Sequence, residues 1–261
     1  MTLWVRYESD VGSAFGTLTE DIISEFEGDL YFDNAPTGTT HNINNVKLLP
    51  PSSPRTFIGL WNNFHEAATK YSWPVPDEPL YFLKSLSSIL EPDGIIRCPR
   101  YYEGRVMFEG ELGVVIGRQA TRVTESQADQ HIFGYTCVND ITAISLIDSD
   151  DDFPQWCRAK SFDTFGPFGP VVACDLDASN LRVQTLVNGR VRQDYSISDM
   201  IFSPQTLVSR ISMDMTLNPG DVISCGTSVG VLPMRPGSTV EVAIDGIGTL
   251  RNQYLGTTDS D

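Results

Sequence analysis

The sequence predicts a β-dominated α+β protein with a few short helices and a small N-terminal β subdomain. Three observations carry that expectation. Short runs of apolar and β-branched residues separated by turns fill the first fifty positions, Asn188-Gly189 divides two further strand-like runs, and very few segments carry helix-capping signals.

In chain order, Leu3 to Tyr7, Ala14 to Leu18 and Asp29 to Phe32 read as strands, and Pro50-Pro51-Ser52-Ser53-Pro54 marks a boundary. This gives an N-terminal β subdomain over residues 1–53, a main domain over 54–255 and a flexible tail over 256–261. Trp61 to Tyr71 offers the first short helix. Val106 to Gly117 reads as one strand. Thr124-Glu-Ser-Gln127 is a capping box, in which the Thr hydroxyl and the Gln side chain satisfy each other's free backbone donors, so a helix carrying His131 should run to about Ile132. Leu181 to Val187 and Arg190 to Tyr195 form a hairpin, because Asn-Gly supplies the positive φ angles of a two-residue turn. Ser203-Pro204 reads as N-cap and first helical residue, with Leu207, Val208, Ile211 and Met215 on the core side and Asn218-Pro219-Gly220 ending the helix. Asp221 to Cys225 and Thr239 to Ile244 are two more strands.

The net charge of −16 excludes nucleic acid and anionic membrane as partners, because a phosphate surface requires a basic patch and no Lys/Arg cluster occurs. No run approaches the ~20 apolar residues of a spanning helix, and the N-terminus lacks a basic segment followed by an apolar one. A cytoplasmic protein is expected. Cys98, Cys137, Cys157, Cys174 and Cys225 are odd in number and lack Cys-x-x-Cys spacing, so they read as reduced core residues.

The best clue to chemistry lies in the run Val106 to Gly117. Glu109 and Glu111 are two residues apart, which in a strand places them on one face with Cβ atoms ~7 Å apart, and Asp140 follows in Val-Asn-Asp-Ile-Thr. Such a pair on a strand is often a solvated outer face. Here Val106, Phe108, Leu112, Val114 and Ile116 are apolar, and the glutamate face continues into Met107, Gly113 and Val115, so both sides read as buried. Buried carboxylates need a partner, and three oxygen donors without a thiolate suit Mg²⁺ or Mn²⁺.

Other motifs fail on their surroundings. Gly226-Thr-Ser-Val-Gly230 has the spacing of a serine-hydrolase elbow, but Pro233 and Pro236 prevent the following helix and the last histidine is His131, upstream of Ser228. Asp148, Asp150 and Asp152 begin like a calcium loop, but Phe153 stands where glycine is required and Ala159 where glutamate is required. Gly246-Ile-Gly248 lies too near the C-terminus to open a dinucleotide-binding unit.

Seven blocks in order are Gly59 to His65, Phe82 to Ser85, Phe108 to Gly117, Gly134 to Asp140, Arg158 to Asp163, Gly166 to Pro170 and Cys225 to Thr227. Together they resemble the fumarylacetoacetate hydrolase superfamily over about residues 55–254. The resemblance implies a mixed β-sandwich roll, a homodimer, Mg²⁺ or Mn²⁺ on Glu109, Glu111 and Asp140, and a small anionic 2-oxo or β-diketo acid as substrate. It implies that Lys160 contacts substrate and developing negative charge, that His65 activates water, and that Gly226 and Thr227 line the pocket. Lys84 and Arg158 are candidate helpers in binding the anion. Two departures stand out: Ala68 occupies the place of the glutamate that usually partners the histidine, leaving the adjacent Glu66 as a substitute, and Ile144 and Ile147 replace an arginine and a glutamine. Hydrolytic C–C cleavage of an acylpyruvate-like acid is the leading expectation. The alternative is an isomerase, tautomerase or decarboxylase on a 2-hydroxy-dienedioate or oxaloacetate-like acid, and a third reading is a non-catalytic binding protein.

Overall fold

Two β-sheets packed face to face organise the chain, and the computed structural model describes residues 1–10 and 12–257. The N-terminal strands β1 (Thr2–Ser9), β2 (Gly12–Thr19), β3 (Ile22–Gly28) and β4 (Asn34–Asn42) pair antiparallel in succession. The segment Asp29 to Phe32, expected as a strand, is instead the turn between β3 and β4. Asp29 Oδ1 accepts the Tyr31 N–H at 2.8 Å, and this local bond competes with strand pairing.

The chain continues through β5 (Leu48–Leu49), β6 (Phe57–Trp61), α1 (His65–Tyr71), β7 (Leu80–Lys84), β8 (Ile89–Leu90) and β9 (Ile95–Arg97). Next come β10 (Val106–Met107), β11 (Gly110–Ile116), α2 (Glu125–Ala128), β12 (Ile132–Asn139), β13 (Thr142–Ala143), α3 (Trp156–Lys160) and β14 (Gly166–Cys174). The last third holds β15 (Arg182–Val187), β16 (Arg190–Ser196), α4 (Pro204–Asp214), β17 (Val222–Ser224), β18 (Ser238–Ile244) and β19 (Gly248–Gly256).

The larger sheet runs β4-β3-β2-β1-β14-β12-β11-β17-β6-β7, with β5 on β1 and β8 on β14; the second runs β16-β15-β18-β19-β9. Both are mixed, since β17–β6, β14–β8 and β19–β9 pair parallel. The N-terminal strands extend the larger sheet through β1 and β14, with Trp4 opposite Val172. Leu112, Val114 and Ile116 of β11 point to the second sheet and share a buried core with Val183, Val242 and Leu250. On the other face Val115 joins Phe57, Val138, Phe168 and Val222. Burial of both faces of β11 follows from strand alternation and leaves Glu111 inside the protein. The β-dominated mixed sandwich roll is the observed fold.

Several local expectations take a different form. The run Val106 to Gly117 breaks at Phe108-Glu109: β10 pairs with β13, and β11 with β12 and β17. The helix expected over Trp61 to Tyr71 begins only at His65, because Trp61 ends β6. The capping box forms at Thr124, but α2 ends at Ala128, His131 sits in a 3₁₀ turn, and Ile132 opens β12. Asn188 and Gly189 adopt φ of 51° and 73° in the expected hairpin, and Ser203 Oγ accepts the Thr206 N–H as N-cap of α4. Of the cysteines, Cys157 is exposed and Cys174 half-buried. The expected tail starts within β19 at Gly256, and residues 258–261 lie outside the described residues.

Candidate active site

Three carboxylates meet where the β11–β12 ladder ends. Glu109 lies in the break before β11, where its N–H donates to Asn139 Oδ1 at 3.0 Å and its carbonyl accepts the Asp140 N–H at 2.8 Å. These bonds clip Glu109 to Asp140. Glu111, one strand step further, reaches across β17: Ser224 Oγ donates to its Oε2 at 2.5 Å and the Gly226 N–H does so at 2.8 Å. Gly226 has φ of +89°, and a Cβ there would stand 3.2 Å from Asn63 Cβ, so glycine is what the loop accepts. One oxygen from each of Glu109, Glu111 and Asp140 lies within 4.8 Å of the others.

Two lysines complete the cluster. Lys84, at the end of β7, donates to Asp140 Oδ1 at 2.5 Å and to the Lys160 carbonyl at 2.6 Å. Lys160, at the end of α3, donates to Glu109 Oε2 at 2.6 Å and to Asp140 Oδ2 at 2.7 Å, while Thr142 Oγ1 donates to Glu109 Oε1 at 2.8 Å. Burial alone would raise the Asp140 carboxyl, but Lys160 and Lys84 hold it below the usual carboxylate range. Burial alone would lower the Lys160 ammonium, but Asp140 and the two glutamates hold it above its ordinary value. Glu111 has no such partner: burial, then the charges of Asp140 and Glu109, push its carboxyl well up.

With all three acids ionised, two ammonium groups leave one net negative charge in a buried site, which is costly until another cation arrives. Glu111 Oε1 is buried and has no hydrogen-bond partner among the described residues, while its Oε2 has two. A free, hard oxygen on the carboxylate that no ammonium contacts among the described residues fits a divalent ion held by Glu109, Glu111 and Asp140, and an all-oxygen donor set suits Mg²⁺ or Mn²⁺.

A cavity of about 480 Å³ opens beside this cluster, lined by Glu109, Lys160 and Thr227 among others. Thr227 Oγ1 is anchored to the Gly110 carbonyl at 3.0 Å. Lys84, with a fully buried side chain, backs Asp140 rather than lining the cavity, and its partners are Asp140 and the main chain rather than a surface acid. Arg158, His65 and Glu66 are exposed and stand outside the cavity wall. Helix α1 presents Ala67 and Tyr71, four residues apart, to the cavity; His65 is two positions from Ala67, roughly 200° around the helix. The Glu66 N–H donates to Asp199 Oδ2, and Ala68 is buried.

The sequence reading missed Asn62, Trp61, Trp73 and Trp156 as cavity residues. Ser228, dismissed as a triad nucleophile, lines the cavity with a buried, unpartnered Oγ, and no histidine lines the cavity among the described residues. Three tryptophans in otherwise polar or mixed segments were the available signal, but their convergence needs the fold.

Comparison with known proteins assigns the chain. The family model "Fumarylacetoacetate (FAA) hydrolase C-terminal" matches residues 56–254, and "Rv2993c-like, N-terminal" matches residues 3–51. The sequence is 45% identical over 207 residues to an uncharacterized protein of Archaeoglobus fulgidus, covering 79% of this chain and 81% of that one. It is 37% identical over 227 residues to an oxaloacetate tautomerase of Bacillus subtilis, covering 80% and 74% of the two chains. The crystal structure of a 5-carboxymethyl-2-hydroxymuconate delta-isomerase from Mycobacterium smegmatis superposes with a TM-score of 0.90 at 36% identity, covering 98% of this chain and 100% of that one. On the family match over most of its length, with the acidic trio and Lys160 assembled as described, the chain belongs to the fumarylacetoacetate hydrolase family.

Proposed function

We propose that this protein is a Mg²⁺- or Mn²⁺-dependent tautomerase or isomerase that moves a proton between carbon and oxygen of a small 2-oxo acid. The observation that carries the reading is the pairing of Glu109, Glu111, Asp140 and Lys160 at a cavity that no described histidine lines. Enolisation needs charge stabilisation and a donor–acceptor pair, whereas hydrolysis also needs activated water, and His65 stands outside the wall. That ranks isomerisation ahead of the C–C cleavage expected first. The names of the similar tautomerase and isomerase agree with this order.

The divalent ion, when bound, supplies Lewis-acid stabilisation of negative charge on the substrate's oxygens. The chain's own groups move the protons. Glu109 Oε2 and Lys160 Nζ are 2.6 Å apart on the cavity wall, and the Glu109 side chain keeps 14% exposure. Glu109 takes the proton from C3 as Lys160 gives one to the carbonyl oxygen, so one C–H bond breaks and one O–H bond forms. Transfer from Glu109 back to Lys160 across the 2.6 Å contact restores both groups. Asp140 and Lys84 hold Lys160 in place. With two ammonium groups, three carboxylates and a divalent ion, the site carries one net positive charge, which suits an anionic acid despite the chain's charge of −16.

The same reading takes the protein as a cytoplasmic homodimer. The enol absorbance of oxaloacetate and of a panel of 2-oxo acids is the assay. Tautomerisation should be abolished by EDTA, restored by Mg²⁺ or Mn²⁺, and lost in Lys160→Met. Release of two acids or of CO₂ without keto–enol exchange would assign the chain to hydrolysis or decarboxylation instead.

A further inference from the structure

Apart from Glu109 and Lys160, most of the cavity wall is aromatic or aliphatic. Trp61, Trp73 and Trp156 are three of the chain's four tryptophans, and the Trp61 ring centre lies 5.1 Å from Trp73 and 5.5 Å from Trp156. Tyr71 extends the cluster at 4.8 Å from Trp73. Ile144 and Ile147, from the segment after β13, add branched aliphatic surface to the same wall. Separate parts of the chain therefore converge to build an apolar recess against a charged catalytic pair. Such a recess gains from a ligand that removes its surface from water.

We propose that this recess selects 2-oxo acids whose C3 substituent is apolar and flat or branched, and that Ile144 and Ile147 are specificity-determining residues that reject a second carboxylate. The inference rests on reading the site as one for 2-oxo acids and adds the substrate class. A second carboxylate in the recess would lose its hydration against tryptophan and isoleucine. The lining residues offer it no cation besides Lys160, which is already bound to Glu109 and Asp140. Asp148 at the wall would repel it. Asn62 adds to this discrimination. Its amide nitrogen donates to the Pro74 carbonyl at 2.8 Å, and its buried oxygen is an acceptor without a partner among the described residues, which an anion cannot satisfy.

The test compares phenylpyruvate with oxaloacetate as tautomerase substrates of the Mg²⁺-loaded protein. It also titrates tryptophan fluorescence with 4-methyl-2-oxopentanoate, which lacks an aromatic ring, and with oxaloacetate. Expected are a kcat/KM about 100-fold higher for phenylpyruvate and an affinity at least about tenfold higher for the branched acid. Ile144→Arg, at a half-buried position, should move both ratios toward oxaloacetate by about tenfold or more. Ile147→Gln provides the second variant, with Mg²⁺ binding as the check that each variant is folded. Preference for oxaloacetate in both measurements, or ratios unmoved by both variants, would overturn the inference. If neither acid is turned over but the branched acid still binds preferentially, the recess assignment stands and the tautomerase reading falls.

Discussion

Replacing Lys84 with methionine removes a charge from a place where nothing can substitute for it. The Lys84 and Asp140 side chains are both fully buried, and the ammonium holds two contacts, at 2.5 Å to Asp140 Oδ1 and 2.6 Å to the Lys160 carbonyl. Methionine fills the volume but leaves Asp140 Oδ1 and that carbonyl without their donor. With all three acids ionised, the net charge of the metal-free cluster goes from −1 to −2, counting three carboxylates against one remaining ammonium. Breaking a buried pair from one side costs about 3–5 kcal/mol, a large share of the roughly 5–15 kcal/mol that holds a domain together. At ~2–4 °C per kcal/mol, Lys84→Met should lower the melting temperature in EDTA by about 6–20 °C. Calorimetry of the wild type, Lys84→Met, Asp140→Asn and the double variant reads this directly. The double variant should lose less than the sum of the two single changes, because both single changes break the same Lys84–Asp140 contact. A fall below about 2 °C in Lys84→Met, or strict additivity in the cycle, would refute the reasoning.

Metal uptake should release a proton. Burial and two neighbouring carboxylates keep the Glu111 carboxyl above its ordinary range, so wherever the pH leaves it protonated a cation must displace that proton, and affinity should rise with pH until the carboxyl is ionised without it. Isothermal titration in two buffers of different ionisation enthalpy checks this, and identical heats would contradict it. His65→Ala should leave 2-oxo acid tautomerisation unchanged, because the imidazole is exposed and outside the cavity wall; loss of activity in steady-state kinetics would bring His65 back into the mechanism. Gly226→Ala should weaken metal binding and lower stability by about 1–3 kcal/mol, since an L-residue is strained at φ of +89° and its new Cβ presses on Asn63. Denaturant unfolding and Mg²⁺ titration of the variant measure both effects.

What could be read from the sequence were features whose cause is local. Asn188-Gly189 encodes its turn through backbone freedom, Ser203 caps α4 with its own hydroxyl, and strand parity puts Glu109 and Glu111 on one side despite the break before β11. Where partners are distant, local pattern failed. Strand β4 is almost wholly polar and exposed, so no alternation announces it, and Asp29 turns a strand-like run into the bend before it. Strand β18 was legible, but its partner β19 was not, because Gly246 and Gly248, weighed only as a dinucleotide motif, are the positive-φ turn that joins the two strands. Lys84 has the sequence appearance of a surface lysine, and its burial is imposed by Asp140 and by the end of α3. The apolar recess depends on tryptophans up to 95 positions apart, from Trp61 to Trp156, that only the fold brings within reach of one another.

Manganese titration followed by electron paramagnetic resonance tests the carboxylate site most directly. The wild-type protein should remove one equivalent of free Mn²⁺ from the spectrum, Mg²⁺ should displace it, and Glu111→Gln should leave the free-ion signal intact while the protein remains folded. A wild-type protein that leaves the signal unchanged, or a Glu111→Gln variant that binds Mn²⁺ as the wild type does, would contradict a metal held by Glu109, Glu111 and Asp140.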